Sequence, residues 1–375
     1  MVNSLFEDSL QLDMEQQQTG DPTVLCQTVV VGNSRNPHYS ANNDVRVLNF
    51  CFLGCEPNMP YGPIPHTAQL VMDIMAQAIE QASSTSTAHR SSHYRRKGED
   101  VVMSHEDEEE PNLEDTTWML RFKCYNVQKE EYPASAQEWD TYDGIILPGS
   151  FSAAYDDEPW IQTLCHVIQT EIVAHRRKTL GICFGHQVLA HSFADGLASK
   201  MPQGSRAGRI VLQTTAAGQA LFAGQGAGMM PMSPKQQGQE LHYYYTHGDR
   251  VERLPATAVC LGGDDRVPIL AAAYYDTPQQ AAQAASGGDN GGGETPPLPK
   301  PYAITFQAHP EYASSMDLGL HRTLGLIMDV MVKKELLESH ARQSLGEDAL
   351  KMYNRVKDDS LNTIVSVGRL LGWFP

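Results

Sequence analysis

Ten consecutive residues, Lys178-Thr179-Leu180-Gly181-Ile182-Cys183-Phe184-Gly185-His186-Gln187, constrain this chain more than any other stretch. A short apolar run of strand character ends at Cys183, and a helical pattern, Val188, Leu189, Ala190 and Phe193, begins at once. Passing from strand to helix with no linker demands a sharp, crowded turn, the layout of a nucleophile elbow. The flanking positions must then be small, which Gly181 and Gly185 satisfy. The turn would set the Cys183 sulfur at a helix start, where unpaired N–H groups and the positive dipole end favour thiolate. The N–H of Phe184 would face a developing oxyanion. The plainer alternative is a buried structural cysteine after a core strand, and two glycines at these offsets favour the nucleophile.

Around the elbow, strand and helix patterns alternate. Val45 to Phe50 reads as a buried strand, and Thr67 to about Gln81 as a helix with Leu70, Val71, Ile74, Met75 and Ile79 on one side. Trp118 to Tyr125 alternates as a second strand. Asp143 to Leu147 is a third strand that ends in the unbroken apolar run Ile145–Leu147, as parallel central strands do. Trp160 to about His175 is a second helix, leading into the strand before Cys183. Further strands are expected at Arg209–Gln213, Ala271–Tyr275 and Tyr302–Ala308. This predicts an α/β fold, a doubly wound, mainly parallel sheet with helices on both faces. Sites on such sheets lie beyond the carboxyl ends of the strands, where Cys183 and Pro148-Gly149-Ser150 both fall.

The peptide Gly-Ile-Cys-Phe-Gly-His-Gln resembles the nucleophile motif of class I glutamine amidotransferases, which use a Cys-His-Glu triad on a flavodoxin-like architecture. Among them it is most similar to stand-alone gamma-glutamyl peptidases and to the glutaminase domains of guanosine-monophosphate-synthase type. The family implies a histidine and a glutamate two residues apart, far downstream at a strand end, and His309-Pro310-Glu311 follows the strand at Tyr302–Ala308. By this resemblance Cys183 is the nucleophile, His309 the general base and acid, and Glu311 the group that fixes the imidazole tautomer. If Pro310 keeps the backbone extended, residues i and i+2 point the same way and Glu311 reaches His309. Gly149 and Ser150 supply the second half of the oxyanion hole. Gln187, four residues after Cys183 on the helix, faces the nucleophile and matches the glutamine that contacts the amino-acid head of the substrate. The segment His242 to Val251 resembles the one that holds the glutamyl end, so Tyr245 and His247 are substrate-contact candidates. A local structural bond between His247 and Asp249 is the alternative.

The resemblance covers roughly residues 45–340. Residues 1–43, polar and rich in Gln, Asn and Asp, are expected as a flexible tail with a short strand near Thr28–Val31. Residues 44–340 form the amidotransferase-like domain, with polar insertions near 83–114, 218–240 and 277–301, since segments so polar bury too little to offset their ordering entropy. Residues 341–375 are expected as a helical extension, with Trp373 and Phe374 packing back on the body.

Composition narrows the partners. The formal charge of −17 argues against nucleic acid and anionic membrane surfaces. The N-terminal residues lack the apolar core of a secretory signal, and no apolar run of about 18 residues exists to span a bilayer. Seven cysteines without framework spacing suit reduced thiols, and the expected compartment is the cytoplasm. Cys51 and Cys55 lack a second ligand pair, and His186 and His191 are badly spaced, so neither metal nor cofactor is expected. The reading is a cysteine-dependent hydrolase of glutamine or gamma-glutamyl peptides acting through a thioester. One alternative is a glutaminase subunit delivering ammonia to a separate synthetase, since the chain has no P-loop of its own. Another is a catalytically silent scaffold.

Overall fold

The computed structural model describes residues 23–30, 45–57, 62–93, 117–223, 240–286 and 298–374. Its strands, in chain order, are β1 (Val24–Val30), β2 (Val45–Gly54), β3 (Thr117–Asn126), β4 (Gly144–Leu147), β5 (Thr179–Ile182), β6 (Leu197–Lys200), β7 (Arg206–Thr214), β8 (Glu240–His247), β9 (Asp249–Arg253), β10 (Ala258–Gly263), β11 (Ala271–Tyr274) and β12 (Ala303–Phe306). Ten of them form one sheet in the order β1-β3-β2-β4-β5-β12-β11-β10-β7-β8, and β6 and β9 form a separate pair. Every residue of β4, β5, β11 and β12 is buried, as expected of short strands covered on both faces. From β3 through β2, β4 and β5 to β12 the pairing is parallel. β1 at one end, and β11, β10, β7 and β8 towards the other, add antiparallel pairing.

Register decides where the chemistry can sit. Leu147 of β4 pairs with Gly181 of β5, and Ile182 pairs with Phe306 of β12. The carboxyl ends of three adjacent strands are therefore level. The residues that follow them, Pro148-Gly149, Cys183 and Gln307-Ala308-His309, emerge side by side.

Helices clothe both faces. On one side α1 (Ile64–His93) and α8 (Tyr353–Leu370) bury Val71, Ile74, Met75, Ile364 and Val367 against Phe50, Phe122 and Ile304. On the other, α2 (Pro159–Val167), continued by a wider π-type turn over Ile168–Val173, and α3 (Phe184–His191) bury Ile161, Leu164, Ile172, Val188 and Leu189 against Ile145, Leu147 and Tyr274. The short helices α4 (Ala216–Ala223) and α5 (Pro278–Ala285) adjoin β10. A smaller third cluster joins α6 (Gly325–Lys333) and α7 (Ser339–Lys351) to Tyr244 and Tyr312.

Several boundaries differ from the sequence expectation. Within the stretch read as a tail, β1 pairs along its whole length with β3, because its inward residues, Val29 among them, reach the core beside α1. Helix α1 runs ten residues past Ser83 into the expected insertion, since no Pro or Gly interrupts the chain between Pro65 and Gly98. Helix α5 opens the stretch expected as a flexible insertion at 277–301: Thr277 caps it by accepting from the Gln280 N–H, and Pro278 fills its first position. Residues 94–116, 224–239 and 287–297, which carry the rest of the three insertions, lie outside the described residues. In the C-terminal segment, the Trp373 indole donates to the Asp143 carbonyl at 2.8 Å and its ring meets Phe50 edge-on at 5.0 Å. No helix among the described residues is long and apolar enough to cross a membrane.

Candidate active site

Cys183 stands between β5 and α3 with φ 53° and ψ −105°, a conformation that L-residues avoid. Two main-chain bonds hold it there. Its N–H donates to Phe306 O at 2.7 Å, and its carbonyl accepts from the Gln187 N–H at 3.2 Å. The glycines around it are spatial necessities. A Cβ on Gly185 would lie 2.0 Å from the Leu147 carbonyl oxygen, and one on Gly181 would lie 2.7 Å from the Thr305 methyl. Gly185 N–H also donates to Pro148 O at 3.1 Å, tying the elbow to the loop after β4. On that loop a Cβ at Gly149 would lie 3.1 Å from His309 Cε1 and 3.6 Å from Cys183 Cβ, so Gly149 borders both side chains.

His309 and Glu311 are almost entirely buried, and Nδ1–H of the imidazole donates to Glu311 Oε1 at 2.7 Å. The backbone that achieves this is not extended. Pro310–Ala313 forms a 3-10 turn with Pro310 at its first position, where its fixed φ is already helical and its missing N–H costs nothing. The Tyr312 ring stacks on the imidazole at 4.1 Å with planes 7° apart, and His309 N–H donates to Tyr244 O at 2.8 Å. Thr246 Oγ1 lies 3.2 Å from His309 Nε2, while the Thr246 carbonyl is 3.9 Å from the Cys183 sulfur. Burial alone would lower the His309 pKa. The facing Cys183 sulfur and Glu311 carboxylate outweigh it and raise the value to about 10.

The remaining predicted residues are distributed around this centre. Gln187 is buried, and its Nε2 donates to Asp249 O at 3.1 Å and to Gln307 Oε1 at 3.0 Å. Gln307 Nε2 in turn lies 3.5 Å from the Cys183 sulfur. Ser150 Oγ donates to Cys55 O at 3.2 Å and reaches Glu56 Oε2 at 3.4 Å, which anchors the loop after β4 to the end of β2. Phe184 opens α3, its ring 5.8 Å from Trp160. Tyr245 has no accessible surface and its ring is 5.7 Å from His247. His247 Nδ1–H donates to the Asp249 carbonyl at 2.9 Å, the local bond considered as its alternative role, and burial pulls its pKa down to about 3. Gln307, Thr246 and Tyr312 were not singled out from the sequence. Gln307 carried a usable signal, a lone amide inside an apolar strand run. Among the described residues no cluster of three or more His, Cys, Asp or Glu has the geometry to hold a metal ion.

The fold and this arrangement define an α/β protein with a cysteine-bearing strand-to-helix elbow facing an imidazole–carboxylate pair. Residues 119–283 match the model of the glutamine amidotransferase class-I family, a span that includes the elbow and stops short of His309. Gamma-glutamyl peptidase 5 of Arabidopsis thaliana is 30% identical over 156 residues, 41% of this chain and 57% of that protein. A glutamine amidotransferase-like protein of Schizosaccharomyces pombe is 31% identical over 110 residues, 28% of this chain and 44% of that one. The matched stretches span about half the length of these relatives. A glutamine amidotransferase structure from Thermotoga maritima aligns with a TM-score of 0.46 at 18% identity, over 67% of this chain and 86% of that one. Over residues 119–283 the chain is similar to class I glutamine amidotransferases.

Proposed function

We propose that this protein hydrolyses the gamma-glutamyl amide of glutamine or of gamma-glutamyl peptides, with Cys183, His309 and Glu311 as its catalytic triad. The observation that carries the reading is the 2.7 Å bond from His309 Nδ1 to Glu311 in an imidazole that also faces the Cys183 sulfur. The thiolate attacks the gamma-carbonyl, and the oxyanion is stabilised by main-chain N–H groups of Phe184 and Gly149. His309 gives its proton to the departing amine as the carbon–nitrogen bond breaks, leaving a gamma-glutamyl thioester. The imidazole, neutral again, takes a proton from water as it attacks the thioester carbonyl, and glutamate and thiolate leave. Ser150 holds the Gly149 loop of the oxyanion hole through its bonds to Cys55 and Glu56, and Gln187 and His247 frame the glutamyl head, with Tyr245 supporting His247 from the core.

The test is labelling with a glutamine-like electrophile and mapping of the adduct, followed by a comparison of glutamine with gamma-glutamyl dipeptides. Modification confined to Cys183, lost in Cys183→Ser, with amide cleavage following the same pattern, is the expected result. A folded protein that is neither labelled at Cys183 nor able to cleave any gamma-glutamyl amide overturns the reading. The match to class I amidotransferases also favours a second role, ammonia supply to a separate synthetase. That role requires glutaminase activity that rises when the synthetase and its substrates are present.

A further inference from the structure

The buried amides of Gln187 and Gln307 form a chain that ends on the nucleophile. Asp249 O, a carbonyl, can only accept, so the Gln187 atom 3.1 Å from it must be Nε2. The other N–H of that nitrogen then points at Gln307, which must answer with its oxygen, at 3.0 Å. A flipped Gln307 would set amine against amine in a place with no accessible surface. Its Nε2 is thereby committed to the Cys183 sulfur, 3.5 Å away. Asp249 O is itself pinned by a second donor, His247 Nδ1–H at 2.9 Å.

We propose that Gln307 is a further catalytic residue, the side-chain donor that holds the Cys183 sulfur in its anionic, attacking form. Gln187 is the positioning residue that keeps the Gln307 amide facing the right way. The inference rests on Cys183 being the nucleophile. A donor fixed on sulfur stabilises the thiolate more than the thiol, because a hydrogen bond to a charged acceptor is about twice as strong as one to a neutral acceptor. The opposite amide orientation would aim a carbonyl at the thiolate and disfavour it. The chain also links the residue framing the glutamyl head to the attacking atom, so displacement of Gln187 on substrate binding would be felt at sulfur.

The experiment measures the rate of Cys183 alkylation by iodoacetamide against pH, followed on the Cys183 peptide by mass spectrometry, for native protein and Gln307→Met. Loss of one hydrogen bond to a charged group should slow alkylation about tenfold on the acid limb of the profile. The high-pH plateau should stay in place and the profile should move to higher pH by about one unit. A superimposable profile, or slowing by one factor at every pH, overturns the proposal. Should Gln307→Met fold poorly by thermal melt, Gln187→Leu leaves Gln307 in place and must shift the profile the same way by less; no shift in that variant also overturns it. Alkylation needs no substrate. A displaced profile in a protein that cleaves no gamma-glutamyl amide would sink the proposed substrate class and leave the Gln307 donor on a reactive Cys183 standing.

Discussion

Replacing Gly185 by alanine is the most direct probe of how the elbow is built. The added Cβ would lie 2.0 Å from the Leu147 carbonyl oxygen, 2.7 Å from its carbon and 2.8 Å from Leu147 Cβ. Protein Cβ atoms essentially never come within 3.0 Å of another heavy atom, so α3 and the end of β4 must separate by about 1 Å. No rotamer change can relieve this, because the obstacle is main chain. Overpacking of that kind costs about 1 to 3 kcal/mol, and a backbone obstacle puts this case at the upper end. The separation also loosens the Gly185 N–H to Pro148 O bond that ties the Gly149 loop to the cysteine. A misplacement of about 1 Å among reacting groups slows turnover on the order of a hundredfold. Gly181→Ala is the matched control: its nearest obstacle is the Thr305 side-chain methyl at 2.7 Å and main chain comes no closer than Gly185 O at 3.0 Å, so it should destabilise less. Urea unfolding midpoints and gamma-glutamyl hydrolysis rates of the two variants are the assay. A Gly185→Ala protein as stable and as fast as Gly181→Ala would refute the claim that this glycine is required by close backbone approach.

At Gly149 a Cβ would meet His309 Cε1 at 3.1 Å and Cys183 Cβ at 3.6 Å, a contact that a few tenths of an ångström relieve. Gly149→Ala should therefore unfold within about 1 kcal/mol of native and still lose turnover, and a matching loss of stability would point to a structural role instead. Glu311→Gln replaces the carboxylate 2.7 Å from His309 Nδ1 by a neutral amide that no longer stabilises the imidazolium or fixes its tautomer, and kcat should fall on the order of 10³- to 10⁴-fold with the fold retained; hydrolysis at near-native rate would exclude Glu311 from the proposed triad. His186 donates Nε2–H to Ile269 O at 3.4 Å, and burial lowers its pKa to about 4. A folded value below the unfolded one gives stability that is complete above pH 6.5 and lost as pH falls towards 4. That loss should reach roughly 3 kcal/mol in urea titrations and shrink in His186→Gln; equal acid sensitivity of the two proteins would refute the assignment. His309 has the opposite sign, its raised value giving stability that is complete below pH 6.5 and lost as pH climbs towards about 10; unfolding free energy that stays level through the alkaline range, compared with His309→Gln, would contradict this.

What the sequence disclosed, and what it withheld, divide along a physical line. Gly181, Cys183 and Gly185 were legible because their constraints are local: one turn fixes three residue types at fixed offsets. His309 and Glu311 were legible through a motif, although the backbone inferred for them was wrong. An extended strand and a 3-10 turn both bring i and i+2 within reach, and Pro310 is compatible with either, so sequence specified the contact without specifying its route. Gln307, Thr246 and Tyr312 gain their contacts with Cys183 and His309 only when β12 lies against β5 and the end of β8 closes over both, a fact of sheet order and not of spacing. Strand β10 escaped for a related reason. It ends in Gly262 and Gly263, poor strand formers, yet a Cβ there would meet Gln213 O at 2.7 Å and Pro268 O at 2.1 Å, so tertiary crowding selects what propensity disfavours. Gln307 shows how such residues can be found. A polar side chain just past a strand end, with the apolar neighbours Phe306 and Ala308, must be paired once buried, and in a sheet whose carboxyl edge carries a candidate nucleophile its partner is to be sought along that edge.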